Sequence, residues 1–263
     1  GLGDVYKRQG VSLYRIMIAP DKGTIYPEYL PNWAKPAKPS ATDALVSCAK
    51  SRGIIDLRSA LWHAKNEAAT MLYYKTDTHW NSLGAAYAYS TFMSQLLLEE
   101  PALRWEPEAA FRVNRVDPRQ GGDLARFLRL EAILTDDEPV VSVLTSPTIE
   151  TTHYDLESGK EISSDEVAAT RSSETVIRAV SPRARNKKRV LWLRDSFGLA
   201  LAPFLAATFT ETIEIHWSEA LRSHGKRLVE LVDSWDPDYV IVTVVERDAL
   251  SGALAQYPVG DRN

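Results

Sequence analysis

Apolar positions along this chain fall into two kinds of block. Continuous runs rich in β-branched and aromatic residues occupy positions 11–19, 54–57, 71–74, 189–193, 212–216 and 239–245. Such runs, bounded by turn residues, predict buried strands, and Tyr239-Val-Ile-Val-Thr-Val-Val245 is the strongest of them. Between them lie segments with helical spacing, at about 43–51, 59–69, 82–99, 197–207 and 221–234. In the longest, Leu83, Ala86, Tyr87, Ser90, Met93 and Leu97 fall near a 3.6-residue period. Asn81 or Ser82 is placed to cap it, and Pro101 ends it. Thr42 and Asp43 are cap candidates for the helix at 43–51, which Gly53 closes. Pro20 stops the first strand, Asp21-Lys22-Gly23 turns the chain, and residues 25–40 read as aromatic and proline-rich connections.

Strands alternating with helices predict an α/β fold, a parallel sheet with helices on both faces in three layers. Residues 104–185 break the rhythm. Short β-prone runs at 111–116, 140–144 and 175–180 alternate there with polar loops, and helical spacing returns only at 124–130. This stretch reads as a strand and loop insertion in a single domain spanning about 11–250. Residues 1–10 lack periodicity and read as a non-structural or non-native leader. An export signal or membrane anchor upstream is compatible with that start.

With 263 residues and 44% hydrophobic content the chain can bury a sizeable core. Its net charge of −4 and pI of about 5.8 provide no bulk positive field, which disfavours nucleic acid as a partner. The basic run at 183–189 reads as a solvated loop. The one cysteine, Cys48, excludes an internal disulfide and reads as a small buried hydrophobe. No apolar run reaches the roughly 18–20 residues needed to span a bilayer.

Two stretches carry candidate chemistry. In Tyr73-Tyr74-Lys75-Thr76-Asp77-Thr78-His79-Trp80-Asn81, Asp77 and His79 are spaced so that a carboxylate can hold an imidazole in one tautomer. In Val190-Leu191-Trp192-Leu193-Arg194-Asp195-Ser196-Phe197-Gly198, a strand ends at a serine where a helix begins. The backbone N–H groups of Phe197 and Gly198 there are candidates to stabilise an oxyanion. Each feature also has a plain structural reading. Ser196 fits a helix N-cap, and Asp77 and His79 fit a helix-entry loop that satisfies backbone groups. Gly121-Gly122-Asp123 fits a simple turn, or one that directs a backbone N–H or Asp123 into a crevice. Tyr73, Tyr74 and Trp80 fit either core packing or sugar stacking. His63, His153, His216 and His224 are scattered without metal-ligand spacing, so neither a metal nor a cofactor is expected.

Five segments in order carry a family resemblance. They are Pro20-Asp21-Lys22-Gly23-Thr24-Ile25-Tyr26-Pro27-Glu28-Tyr29-Leu30, Lys75-Thr76-Asp77-Thr78-His79-Trp80-Asn81 with Gly84, Gly121-Gly122-Asp123-Leu124-Ala125, Arg194-Asp195-Ser196-Phe197, and Glu246-Arg247. Together they resemble the SGNH-hydrolase-like domain of the alginate O-acetyltransferases AlgX and AlgJ. The resemblance implies a three-layer, flavodoxin-like SGNH fold, with Ser196 as nucleophile, His79 as general base and Asp77 as its orienting carboxylate. Gly122, Phe197, Arg194, Tyr74 and Trp80 are the accompanying oxyanion or substrate candidates. Arg194 stands where ordinary SGNH esterases carry glycine. The implied activity is acetyl transfer, through an acetyl-serine, to hydroxyls of an exported polysaccharide. Its location would be periplasmic or otherwise extracytoplasmic, and the acetyl donor would come from a membrane-bound O-acyltransferase. An acetylesterase using water, and a polysaccharide-binding protein without turnover, are the rival expectations.

Overall fold

The computed structural model describes residues 10–35, 37–49, 53–105, 111–145, 149–165, 167 and 175–251, without the side chains of Ala49, Ser223 and His224. The leader expected at 1–10 therefore falls, but for Gly10, outside the described residues. In chain order the elements are β1 (Leu13–Ala19), α1 (Lys22–Ile25), α2 (Ala41–Ala49), β2 (Ile54–Asp56), α3 (Arg58–Glu67), α4 (Ser82–Glu99), β3 (Phe111–Gln120), α5 (Asp123–Phe127), β4 (Thr135–Val143), β5 (Thr152–Asp155), β6 (Glu161–Ile162), β7 (Ile177–Val180), β8 (Asn186–Arg194), α6 (Ala202–Thr208), β9 (Phe209–His216), α7 (Trp217–Leu221), α8 (Lys226–Trp235) and β10 (Tyr239–Val245). Among the described residues no helix is long and apolar enough to cross a membrane.

The chain divides into two compact units. The first, residues 1–18, 41–55 and 145–263, holds an eight-stranded sheet in the order β2-β1-β10-β8-β9-β7-β5-β6. Strand β8 pairs in parallel with β10 and with β9, as strand–helix alternation predicts. Beyond β9 the pairing turns antiparallel, through β7 and β5 to β6. Every residue of β10 is buried. On one face Leu191, Leu193, Ile213, Ile215, Val240 and Val242 pack with Leu228, Leu231 and Val232 of α8. On the other face Val190, Trp192 and Arg194 are buried as well, with Gly198 lying close against Trp192 and Arg194. Burial on both faces is why these strands read as unbroken apolar runs.

Two expected helices of this unit are divided. The one at 197–207 is a 3-10 segment, Ser196–Leu201, followed by α6. Pro203 lies in the first turn of α6, and it has no N–H to continue an α ladder from the preceding turn. The one at 221–234 breaks into α7, a 3-10 turn and α8, with Gly225 ahead of α8 at φ +79°. The basic run at 183–189 is only partly a loop, because β8 begins at Asn186. Lys188 Nζ lies 3.0 Å from Asp238, and the Arg189 guanidinium lies 4.6 Å from the Trp235 ring. Cys48 is exposed rather than buried.

The second unit comprises residues 19–40 and 56–144. It is built around α4, whose Leu83, Ala86, Tyr89, Phe92, Met93 and Leu96 are buried. The Asn81 side chain caps α4 by accepting from Leu83 N at 3.1 Å and Gly84 N at 3.0 Å. Strands β3 and β4 form a separate antiparallel hairpin here, so the stretch expected as one insertion contributes to both units. The strand expected at 71–74 is absent. Asn81 N bonds to Leu72 O, Tyr74 N bonds to His79 O, and a single bridge joins Tyr73 to Trp80. The backbone of that run closes a local loop, which leaves it no ladder to join.

Candidate active site

The loop closed by the Tyr73–Trp80 bridge carries Asp77 and His79. Asp77 Oδ1 lies 2.6 Å from His79 Nδ1 and also accepts the His79 backbone N–H at 3.1 Å. With Nδ1 as the donor, Nε2 is the basic nitrogen of the ring. Burial by itself would raise the Asp77 pKa. The hydrogen bonds from His79, the imidazole charge and Arg119, whose Nη2 lies 3.4 Å from Oδ2, outweigh it and hold the carboxyl well below the usual range. Asp77 is therefore a fixed anion at neutral pH, suited to orienting His79 and stabilising it when protonated.

The rest of the loop is pinned by residues distant in sequence. Asp136, buried at the start of β4, accepts from Lys75 N at 2.5 Å, Thr76 N at 3.1 Å and the Thr76 hydroxyl. Lys22 Nζ donates to the carbonyls of Tyr74, Lys75 and Asp77 at 3.1, 3.1 and 2.7 Å. Asp123 accepts from Thr78 N at 2.7 Å and from the Thr78 hydroxyl. Gly122 packs directly on the Asp77 carboxylate. Asp77, His79 and Asp123 each bring one ligand-type atom within 4.8 Å of the others. Their atoms are already paired with one another and with Thr78, so a bound metal would have to displace those hydrogen bonds.

Ser196 follows β8 in the first unit. It is exposed, and it is not the helix cap. Asp195 takes that role: its Oδ1 accepts from Phe197 N at 2.9 Å and its Oδ2 from Val245 N at 2.6 Å. Burial pushes the Asp195 pKa up to about 6 against the lowering effect of those backbone donors, and the charge of Asp248 adds to the rise. Beside this turn Glu246 accepts from the Thr42 hydroxyl at 2.6 Å, and Arg247 lies 5.3 Å from the Phe197 ring. Thr42, an expected helix cap, lies inside α2 and serves Glu246 instead.

Several residues expected as oxyanion or substrate candidates have other work. Phe197 N–H donates to Asp195 Oδ1, and Gly198 N–H to Asp195 O at 3.2 Å. Gly122 N–H donates to Thr76 Oγ1 at 2.9 Å. Arg194 is buried and ion-paired with Glu214 at 2.7 Å. Trp80 is core. Tyr74 is buried, donates to Glu138 and carries the Arg119 guanidinium 4.0 Å from its ring, so a sugar has no open face there. His216 caps α7 by accepting from Ser218 N, a structural role. Sequence reading missed Lys22, Arg119, Asp136 and Glu138. Lys22 stands inside a resembling segment, and Asp136 and Glu138 form an acidic run, but no local rule assigns either to the loop at 74–78.

The family described as an SGNH hydrolase-like domain, acetyltransferase AlgX, matches residues 2–158. No curated protein matches the chain. Among solved structures, the chain superposes on Bacillus cereus PatB1 with a sulfonyl adduct at a TM-score of 0.68 and 18% identity, over 98% of this chain and 89% of that one. The O-acetyltransferase domain of Pseudomonas putida AlgJ gives a TM-score of 0.56 at 18% identity, over 97% and 82%. Pseudomonas aeruginosa AlgX gives 0.52 at 14% identity, over 92% and 54%. At these identities the structural likeness is one of fold. The match over residues 2–158, which takes in the Asp77–His79 loop and the Gly121-Gly122-Asp123 turn packed on it, means that this chain belongs to the SGNH hydrolase-like acetyltransferase family of AlgX.

Proposed function

We propose that this chain is an O-acetyltransferase that carries acetyl on Ser196 and delivers it to hydroxyls of an exported polysaccharide outside the cytoplasm. The observation that carries the reading is Ser196, exposed at the end of β8 beside the Asp195 cap. An ordered base pair, Asp77–His79, supports it from the second unit. The reading requires Ser196 Oγ to come within hydrogen-bond reach of His79 Nε2.

The steps follow from those roles. His79 Nε2 takes the Ser196 proton as Oγ attacks the carbonyl carbon of an acetyl ester. The C–O bond to the leaving group breaks, and the alcohol departs with the proton from His79. A sugar hydroxyl then gives its proton to His79 and attacks the acetyl-serine. The bond to Ser196 breaks, and Oγ recovers the proton. Asp77 keeps its charge throughout and stabilises the imidazolium. In the cell the donor would be supplied by a membrane-bound O-acyltransferase.

Intact-mass spectrometry after incubation with p-nitrophenyl acetate tests this, on wild type, Ser196→Ala and His79→Ala, with and without oligosaccharide. The expected result is an acetyl adduct on wild type alone, discharged faster by sugar than by water. Discharge by water alone would make the protein an esterase. A folded wild type with neither adduct nor ester turnover would overturn the reading in favour of a binding protein.

A further inference from the structure

The loop joining β3 to β4 closes on itself. Gly121 N–H donates to Leu134 O at 2.8 Å and to Glu131 O at 3.1 Å, so its two ends meet just beyond the Gln120–Thr135 pair of the hairpin. Its inner side grips the dyad loop through Gly122, Asp123 and Ala125, whose N–H bonds to Thr76 O. Its outer side is unusual for a water-facing surface. Phe127 is 83% exposed, Leu128 68% and Ile133 74%, with Leu124 and Leu134 also exposed. A compact run of large apolar side chains on one loop tip is more than the scattered exposed leucines of an ordinary surface.

The charges on this tip choose its partner. Arg126 and Arg129 alternate with the apolar residues and are exposed, and neither guanidinium has an ion-pair partner among the described residues. Elsewhere in the unit Arg58, Arg115 and Arg119 are paired with carboxylates. The loop's own acids do not neutralise the tip: Asp123 is held by Thr78, and Glu131 is half-buried with one oxygen sealed from solvent. Exposed apolar side chains interleaved with arginines that lack an ion pair suit a bilayer interface, where rings and leucines enter the acyl boundary and guanidinium groups meet phosphates.

We propose that the 121–134 loop is a membrane-docking tip for an anionic bilayer surface. Since the loop's inner side holds Asp77 and Thr78, docking sets the dyad loop at the lipid surface. The proposal does not depend on acetyl transfer.

Flotation with phosphatidylcholine vesicles, with or without phosphatidylglycerol, tests it on the intact chain. Wild type should float with phosphatidylglycerol vesicles, less so at high salt. A Phe127→Ser/Leu128→Ser variant should partition at least roughly tenfold more weakly. Arg126→Gln/Arg129→Gln should lose the preference for the anionic lipid. Both variants should keep wild-type melting and turnover of the soluble ester p-nitrophenyl acetate. Wild type that fails to float, or floats equally after the apolar substitutions, would overturn the proposal. So would a wild-type dimer in solution that the same substitutions dissolve, which would assign the tip to a second copy of the chain.

Discussion

Gly122 has no side chain because none fits. A Cβ there would lie 2.2 Å from Asp77 Oδ2 and 2.3 Å from Asp77 Cβ. Gly122→Ala must therefore displace the carboxylate that orients His79. On the proposed mechanism, misplacing that carboxylate by about 1 Å costs on the order of 10²-fold in turnover, and the overpacking about 1–3 kcal/mol of stability. Turnover of p-nitrophenyl acetate and urea unfolding check both numbers. The same scale shows what residue patterns conceal. Arg194 reads as a cation at a strand end, yet it lies buried against Glu214, twenty residues on along the chain. A buried pair of this kind is costly to break, because removing either partner leaves an unpaired charge.

At the scale of elements, α4 depends on one residue. Asn81 caps its first turn through Oδ1, while its Nδ2 donates to Met71 O at 2.6 Å. Asn81→Ala removes the cap and orphans a backbone carbonyl beside the dyad loop. We expect a loss of about 2–3 kcal/mol, read by urea unfolding. This cap was legible in sequence, since Asn before an apolar periodic run follows from backbone chemistry within a few residues. The breaks at Pro203 and Gly225 were written in residue type but obscured by helical spacing that continues across both. The absent strand at 71–74 was not legible: propensity favoured it, but a strand needs a neighbour, and this segment closes on its own loop.

Across the whole molecule, acid response combines groups that shift in opposite directions. Asp195, raised to about 6 when folded, adds stability that is present below its unfolded pKa of about 3.8 and lost as pH rises through 6. Asp77, depressed when folded, adds stability that is present above its unfolded pKa and lost in stronger acid. His216, lowered by burial and by the Arg194 charge, stabilises the fold above its unfolded pKa of about 6.5 and withdraws that support as pH falls. Asp195→Asn removes only the first effect. The stability of wild type relative to this variant should be about 2 kcal/mol greater at pH 4 than at pH 7.5, measured by denaturant unfolding at each pH.

Strand–helix alternation, a cap for α4 at Asn81 or Ser82, the Asp77–His79 spacing and a serine at the end of β8 follow from interactions spanning a few residues, so sequence alone determined them. The tertiary structure decided which groups those residues meet. It gave Asp77 to Arg119 and Gly122, the dyad loop to Lys22 and Asp136, Thr42 to Glu246, and the cap beside Ser196 to Asp195 and Val245. Most of these partners are separated by some forty to two hundred residues. No local periodicity or propensity carries such a pairing. It is set only when burial of the surrounding core brings each polar group's partners within reach.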